Sequence, residues 1–417
     1  MGQLINRRRV LGGKVQYLTF TALESGTFTF TIPAAVTTTY MTSVSYSTNY
    51  GVTWVTTNNS SSDVTITTPT VYAGDTVMWK GVGTQVSKSN TNPTDISRFS
   101  STGTFRASGN VMSMLYGDDF YDKTSFRNGS TYNLSHLFSE CSTLVSIVGL
   151  QLPAITLTNY CYSYMFGYTA ITSMPSGLLP ATTLATYCYQ GMFSNCSSLT
   201  TVSVLPAITL AQNCYEKLFY SCTSLTSLPN NMLPATTMAP YCYLYMFAFS
   251  GVTSIPSNLL PATTLADYCY EYMFSQSAIT SIPSGLLPAT ILAASCYRVM
   301  FYKCTSLITA ASDLLPAPTL TNACYRGMFS GCSNITTVPV LPAVTLISEC
   351  YVNMFNSCSK LAYIKAMFTT KPTNTYTQGW VTSVKSSGTF VKNSAATWNV
   401  TGTNGVPSGW TVQTASS

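Results

Sequence analysis

From residue 15 to about residue 110, apolar and polar positions alternate along the chain. The stretch "GTFTFTI" (residues 26–32) has the period of two that a half-buried strand requires. "VSYSTNYGVTWVTT" places two β-prone runs around Asn49, Tyr50 and Gly51, which predicts a hairpin. "DVTITT" and "DTVMWKGVG" extend the series, so a small all-β sandwich is expected over 15–110. Residues 83–110 are rich in Ser, Thr, Asn and Gly and read as loop or connecting chain.

The pattern then changes to an internal repeat. A Cys-Tyr pair falls at Cys161, Cys188, Cys214, Cys242, Cys269, Cys296, Cys324 and Cys350, in steps of 26 to 28 residues. Met-Phe follows each pair except in the third copy, which has Leu218-Phe219, and Leu-Pro-Ala precedes each pair. A degenerate copy opens the series and ends at Leu137, Phe138 and Cys141. Each unit is expected to hold one strand and one short helix. In Leu199–Val204, Val202 and Val204 should point inward and Thr201 and Ser203 outward. Thr182 or Thr183 can cap a helix on which Leu184, Cys188 and Met192 form one apolar face. Such units cannot bury their apolar sides alone, so they should stack around a shared core.

Composition narrows the function. Charged residues are only 8% of the 417, so Ser, Thr, Asn and Tyr must supply the polar surface. Residues 128–364 carry five basic and six acidic side chains, which leaves no basic stripe and argues against a nucleic-acid partner. No apolar stretch of about 20 residues predicts a membrane span. The N-terminus has basic charge without the apolar segment of a signal peptide. Arg7, Arg8 and Arg9 read as a basic arm, a candidate for docking to a partner particle.

The fourteen cysteines divide into two slots. The second slot holds Cys141, Cys196, Cys222, Cys304, Cys332 and Cys358, but Thr169, Ser250 and Ser277 in the remaining units. A disulfide partner or metal ligand would not exchange so freely, so all fourteen are expected to be reduced core residues, with no metal and no cofactor.

The phrase "MFSGCSNITTVPV" (328–340) resembles the BspA-like leucine-rich repeats of gut and oral bacteria, with Phe329, Cys332, Ile335, Thr336 and Val338 in the repeat's places. The variant with Leu-Pro-Ala and Cys-Tyr-x-x-Met-Phe looks like proteins encoded by Bacteroides and by the phages that infect it. The resemblance covers about 132–366. It implies a right-handed solenoid with a parallel sheet, a role in surface recognition or adhesion, and no catalytic set. The expected organisation is a basic arm (1–14), an all-β domain (15–110), a connector (111–131), the repeats (132–366) and a β-rich cap bearing Trp380, Trp398 and Trp410 (367–417).

Catalytic readings are weak. His136 is the single histidine and lies in the degenerate copy. "LYGDDF" places Asp118 and Asp119 near Asp122, a solvated turn that offers carboxylates to a hard cation. Glu216, Asp267, Glu271, Asp313 and Glu349 are scattered over different units rather than paired for glycoside hydrolysis. Recognition is the stronger expectation. The residue before each Cys and the third after it vary from unit to unit while the core slots hold. Tyr164, Tyr187, Tyr241, Tyr245, Tyr268 and Tyr272 in these slots are the candidate binding residues for a host-surface glycan or protein. The expected role is that of a phage virion fibre, spike or decoration protein, possible as a homotrimer, which docks to other virion proteins through its N-terminal region. The alternative is a bacterial surface or secreted adhesin.

Overall fold

A computed structural model describes residues 16–33, 40–60, 62–89, 92, 95–127 and 130–415, and Arg7, Arg8 and Arg9 lie outside them. The chain forms two compact units, Met1–Pro206 and Ala207–Ser417. It is mostly β-structure, with N-terminal sheets and a β-solenoid towards the C-terminus.

In the first unit the strands are β1 (Leu18–Ala22), β2 (Phe28–Ile32), β3 (Ser43–Ser47), β4 (Val55–Asn58), β5 (Val64–Thr67), β6 (Thr76–Val82), β7 (Arg98–Ser101), β8 (Phe105–Asn110), β9 (Leu144–Ser146) and β10 (Leu150–Gln151). β5, β2 and β7 make one antiparallel sheet, and β8, β1, β6, β3 and β4 run in order through the other. Period-two burial of Phe28, Phe30 and Ile32 in β2 fulfils the strand pattern. The two sheets meet through rings: Phe20 lies 5.2 Å from Phe28 and 4.7 Å from Phe99, and Trp79 lies 4.9 Å from Phe99. The hairpin turn bends at Tyr50 and Gly51, both with positive φ. Residues 83–110 are not merely connecting chain, because β7 and β8 form there and bury Phe99 and Phe105. Small polar residues around those two rings hide the strands from composition. β8 also pairs in parallel with β9 and β10, which joins the sandwich sheet to the first repeat.

The repeats hold a strand in only some units, elsewhere an isolated bridge or no pairing at the strand position, and the described residues of the repeats contain no helix. Among the described residues the α-helices are single turns at Ser113–Tyr116 and Asn374–Thr377. The segment expected to be helical is instead a ribbon of serial turns. In the coil at 160–169, every second N–H bonds three residues back: Cys161 to the Thr158 carbonyl, Ser163 to Tyr160, Met165 to Tyr162. The alternate N–H groups reach the next coil: Tyr162 to the Cys188 carbonyl at 3.0 Å, Tyr164 to Gln190 at 2.8 Å, Phe166 to Met192 at 2.9 Å. The backbone donors are thus satisfied without an α-helical ladder.

This ribbon requires a left-handed residue every fourth position. In unit two, Tyr241, Tyr245 and Phe249 have φ of 58°, 56° and 59°, and Tyr268, Tyr272 and Gln276 have 58°, 55° and 56°. Glycine fills such corners at Gly191, Gly327 and Gly331. Between corners two residues turn inward. Cys188, Tyr189, Met192 and Phe193 are all buried. A period of four thus buries the same residues as a helix of period 3.6 over two turns, which is why the apolar face misleads. Leu184, the third member of the expected face, is only half-buried.

Inward rings stack coil on coil. In the second unit Phe219, Phe247, Phe274, Phe301, Phe329 and Phe355 stand 5.4–5.9 Å apart, and Tyr243, Tyr270, Tyr297 and Tyr325 form a parallel column. Each stacked pair adds about 0.5–1.5 kcal/mol beyond burial. Short parallel bridges occupy the strand positions, as at Ser173–Thr201, Thr209–Thr237 and β11 (Ser281–Ile282) with β12 (Thr309–Ala310). Val204 is 48% exposed, contrary to the expected alternation, because Leu199 and Leu205 take the inward places there.

All fourteen cysteines are free and buried. The second slot has a hydrogen-bonding job. Cys196 Sγ donates to the Phe166 carbonyl at 3.0 Å and Cys332 Sγ to Phe301 at 3.0 Å, while Thr169 Oγ1 and Ser277 Oγ donate to Phe166 and Phe274. The cysteines thus bond the Phe carbonyl of the preceding coil and Thr169 and Ser277 that of their own, while the buried Ser250 hydroxyl makes no such bond, so the slot asks for a small side chain more than for one fixed partner.

The C-terminal segment continues the coil geometry. β13 (Tyr363–Ala366), β14 (Thr389–Lys392) and β15 (Thr411–Thr414) form a parallel sheet. Gly379 and Ser383 are left-handed corners, and Phe355 N–H bonds the Trp380 carbonyl as Phe329 N–H bonds Met354, so Trp380 replaces the core Met of one further coil and the buried Val381 its Phe. Each of the three cap indoles donates to a carbonyl: Trp380 to Gly405, Trp398 to Phe368, Trp410 to Lys385. Among the described residues no helix is long and apolar enough to cross a membrane.

One corner is strained. Val299 is β-branched yet has φ 49°. Val299→Asn places there a residue that Asn353 already shows in the equivalent corner at φ 55°. It should stabilise the fold by about 1 kcal/mol, raising the melting temperature by about 1–2 °C. A lowered melting temperature by calorimetry would refute the left-handed assignment.

Candidate functional site

The varied slots and the left-handed corners are the same positions. A left-handed residue between two inward pairs turns its side chain to the outside of the ribbon, free of the core's demand for a fixed shape. That frees its identity to vary. The six candidate tyrosines all sit at these corners and are half-buried, not freely exposed.

They are half-buried because they stack. In the first unit Tyr187 lies 4.6 Å from Tyr160 with planes 6° apart, and Tyr160 lies 4.9 Å from Tyr132. Tyr164 stacks on His136 at 5.3 Å, so the single histidine belongs to the same row. On its other side the Tyr164 ring covers Gly191, where a Cβ would come within 2.3 Å of it. In the second unit Tyr241 lies 4.7 Å from Tyr268, and Tyr245 lies 4.4 Å from Tyr272, each pair nearly parallel. Burial, then the neighbouring Tyr272 and the Glu271 carboxylate, push the Tyr245 hydroxyl pKa well up, so it stays protonated.

Charges near this second patch are paired. Glu271 is buried and meets Arg298 at 3.2 Å. Burial pushes its carboxyl up, and the guanidinium pulls it back. Lys217 lies 3.5 Å from Glu216 and 5.7 Å from the Tyr245 ring centre. Beside these groups is a pocket of about 350 Å³. Tyr245, Tyr272 and Phe249 form its walls, Ser275, Gln276 and the Lys217 side chain supply polar atoms, and Tyr220 and Tyr302 close its ends. Only Tyr245 and Tyr272 of this set were candidates from sequence. The others could have been found by aligning the units, since Tyr220 and Tyr302 occupy one slot, Ala248 and Ser275 the same slot between them.

The carboxylates have structural partners. Lys80 holds Asp118 at 2.9 Å, and Tyr17 donates to the same carboxylate at 2.6 Å. Lys123 holds Asp122 at 2.9 Å. Glu349 is bound by Arg326, Asp267 by the Ala294 N–H, and Asp313 by Ser284. Among the described residues no group of three or more His, Cys, Asp or Glu is placed to hold a metal ion.

No family model, curated protein or solved structure matches this chain.

Proposed function

We propose that the protein is a non-enzymatic attachment protein, and, from the resemblance of its repeats, a phage virion fibre, spike or decoration that contacts a host-surface glycan or protein. One observation carries the recognition reading: the outward corners of the ribbon vary from coil to coil and hold stacked tyrosines, while the inward slots stay fixed. A stacked tyrosine is ordered before it meets a partner. Binding then avoids part of the roughly 0.5–1.5 kcal/mol cost of immobilising each side chain at an interface. The BspA-like assignment and the docking of the basic arm Arg7–Arg9 to other virion proteins belong to the same reading.

The test uses particles purified from the source. Mass spectrometry should find this chain in them, and antibody to residues 207–417 should block their adsorption to host cells. Absence of the chain from every particle preparation would overturn the virion assignment. Unimpeded adsorption with the antibody bound would overturn the attachment role.

A further inference from the structure

We propose that the notch above Ser275 is a binding site for a single neutral pyranose unit of a glycan, an inference that rests on the recognition reading and gives its ligand a chemical class. The notch has a simple origin. One slot of the ribbon reads Tyr220, Ala248, Ser275, Tyr302 in successive coils. Two large rings therefore flank two small residues, over coils about 4.8 Å apart. Tyr220 leans across Ala248, 5.2 Å from the Phe249 ring and edge-on to Tyr245 at 6.3 Å. The opening left lies over Ser275, whose side chain is buried at its floor and donates to the Tyr302 carbonyl at 3.3 Å. The volume of about 350 Å³ is at the small end of the range for ligand sites.

The lining selects the chemistry. Aromatic walls suit a ligand with one apolar face. Gln276, at a left-handed corner and exposed, offers an amide donor and acceptor at the rim. Tyrosine hydroxyls add further neutral partners. The one charged residue of the lining, Lys217, is paired with Glu216 at 3.5 Å, and the nearby Arg298 with Glu271, so the charge at the site is balanced and a neutral ligand fits it better than an ionic one. A pyranose has the matching character: an apolar C–H face for the rings and a rim of hydroxyls for the amide.

The experiment titrates the full chain with a panel of methyl glycosides, neutral hexoses and N-acetylhexosamines alongside uronic acids, read by saturation-transfer NMR and calorimetry. At least one neutral glycoside should bind. Ser275→Tyr puts into the notch the residue that stands in this slot at Tyr220 and Tyr302, and should weaken binding at least about tenfold. Gln276→Ala and Tyr302→Ala should also weaken it, and they serve if Ser275→Tyr fails to fold by circular dichroism. Tyr72→Ser, at an exposed tyrosine outside the repeats, should leave glycoside affinity unchanged. The proposal is overturned if no neutral glycoside binds, if only uronic acids bind, or if the folded notch variants bind as the parent does. In each of those cases retained adsorption of the chain to host cells would leave the attachment reading intact, which separates the two failures.

Discussion

Raised from pH 8 towards pH 11, the protein is expected to unfold cooperatively, and to do so because of its cysteines. The fourteen thiols are buried, and burial pushes Cys188, Cys242, Cys350 and Cys358 up to about 12 and Cys196, Cys304 and Cys324 up to about 11 from an ordinary 9.0. In the unfolded chain these groups lose their protons from about pH 9, whereas in the folded chain they keep them. Above that pH the unfolded state binds fewer protons, so stability falls as pH rises, by about 1.4 kcal/mol per pH unit for each such thiol. The loss continues until the folded thiols themselves ionise near 11–12. Below about pH 8 these groups contribute no pH dependence. A domain's whole stability is about 5–15 kcal/mol, so a handful of thiols acting together exhausts it within one to two pH units. The inward tyrosines, with hydroxyls pushed up by the same burial, steepen the fall above pH 10. Circular dichroism and thiolate absorbance followed together should change at the same pH. Thiolate appearing at pH 9 in a chain that remains folded would show that the cysteines are not buried.

Much of this fold is legible from the sequence, and its main misreading has a definite cause. Cys-Tyr-x-x-Met-Phe fits a helix of period 3.6 and a turn ribbon of period four equally well over six residues. The discriminating signal lies outside the apolar set. Gly191, Asn213, Gly327, Gly331 and Asn353 recur at the slots between the inward pairs, where a helix interior would disfavour them and a left-handed corner welcomes them. Trp380 and Val381 stand where the Met-Phe pair would be, without the Cys-Tyr phrase, and so the further coil in 367–417 is hidden. β7 and β8 are hidden by the Ser, Thr and Gly around Phe99 and Phe105. The candidate tyrosines are visible because they vary against a fixed background. Their stacking is not, since it depends on the coil-to-coil register that only the ribbon's hydrogen bonds set. The notch is set by two small residues, Ala248 and Ser275, and smallness draws no notice in a search for chemistry.

The second large effect concerns the outward rings. Tyr241, Tyr245, Tyr268 and Tyr272 form two stacked pairs in neighbouring coils. An aromatic anchor at an interface is worth roughly 2 kcal/mol or more, against about 0.5–1.5 kcal/mol for a neutral hydroxyl contact such as the exposed Ser254 or Ser281 of the strand positions can make. Loss of the four rings should therefore dominate any loss on the strand side. With the surrounding charges paired, adsorption should also change little with salt. The corners themselves tolerate small polar residues, as Ser295 and Asn353 do at φ 53° and 55°, so Ser at these four sites keeps the ribbon intact. The most direct measurement is adsorption to host cells of the full chain with all four changed to Ser, with folding verified by circular dichroism. The expected result is a folded protein whose adsorption falls by a factor of ten or more at both low and high salt. A folded variant that adsorbs as fully as the parent would contradict the account.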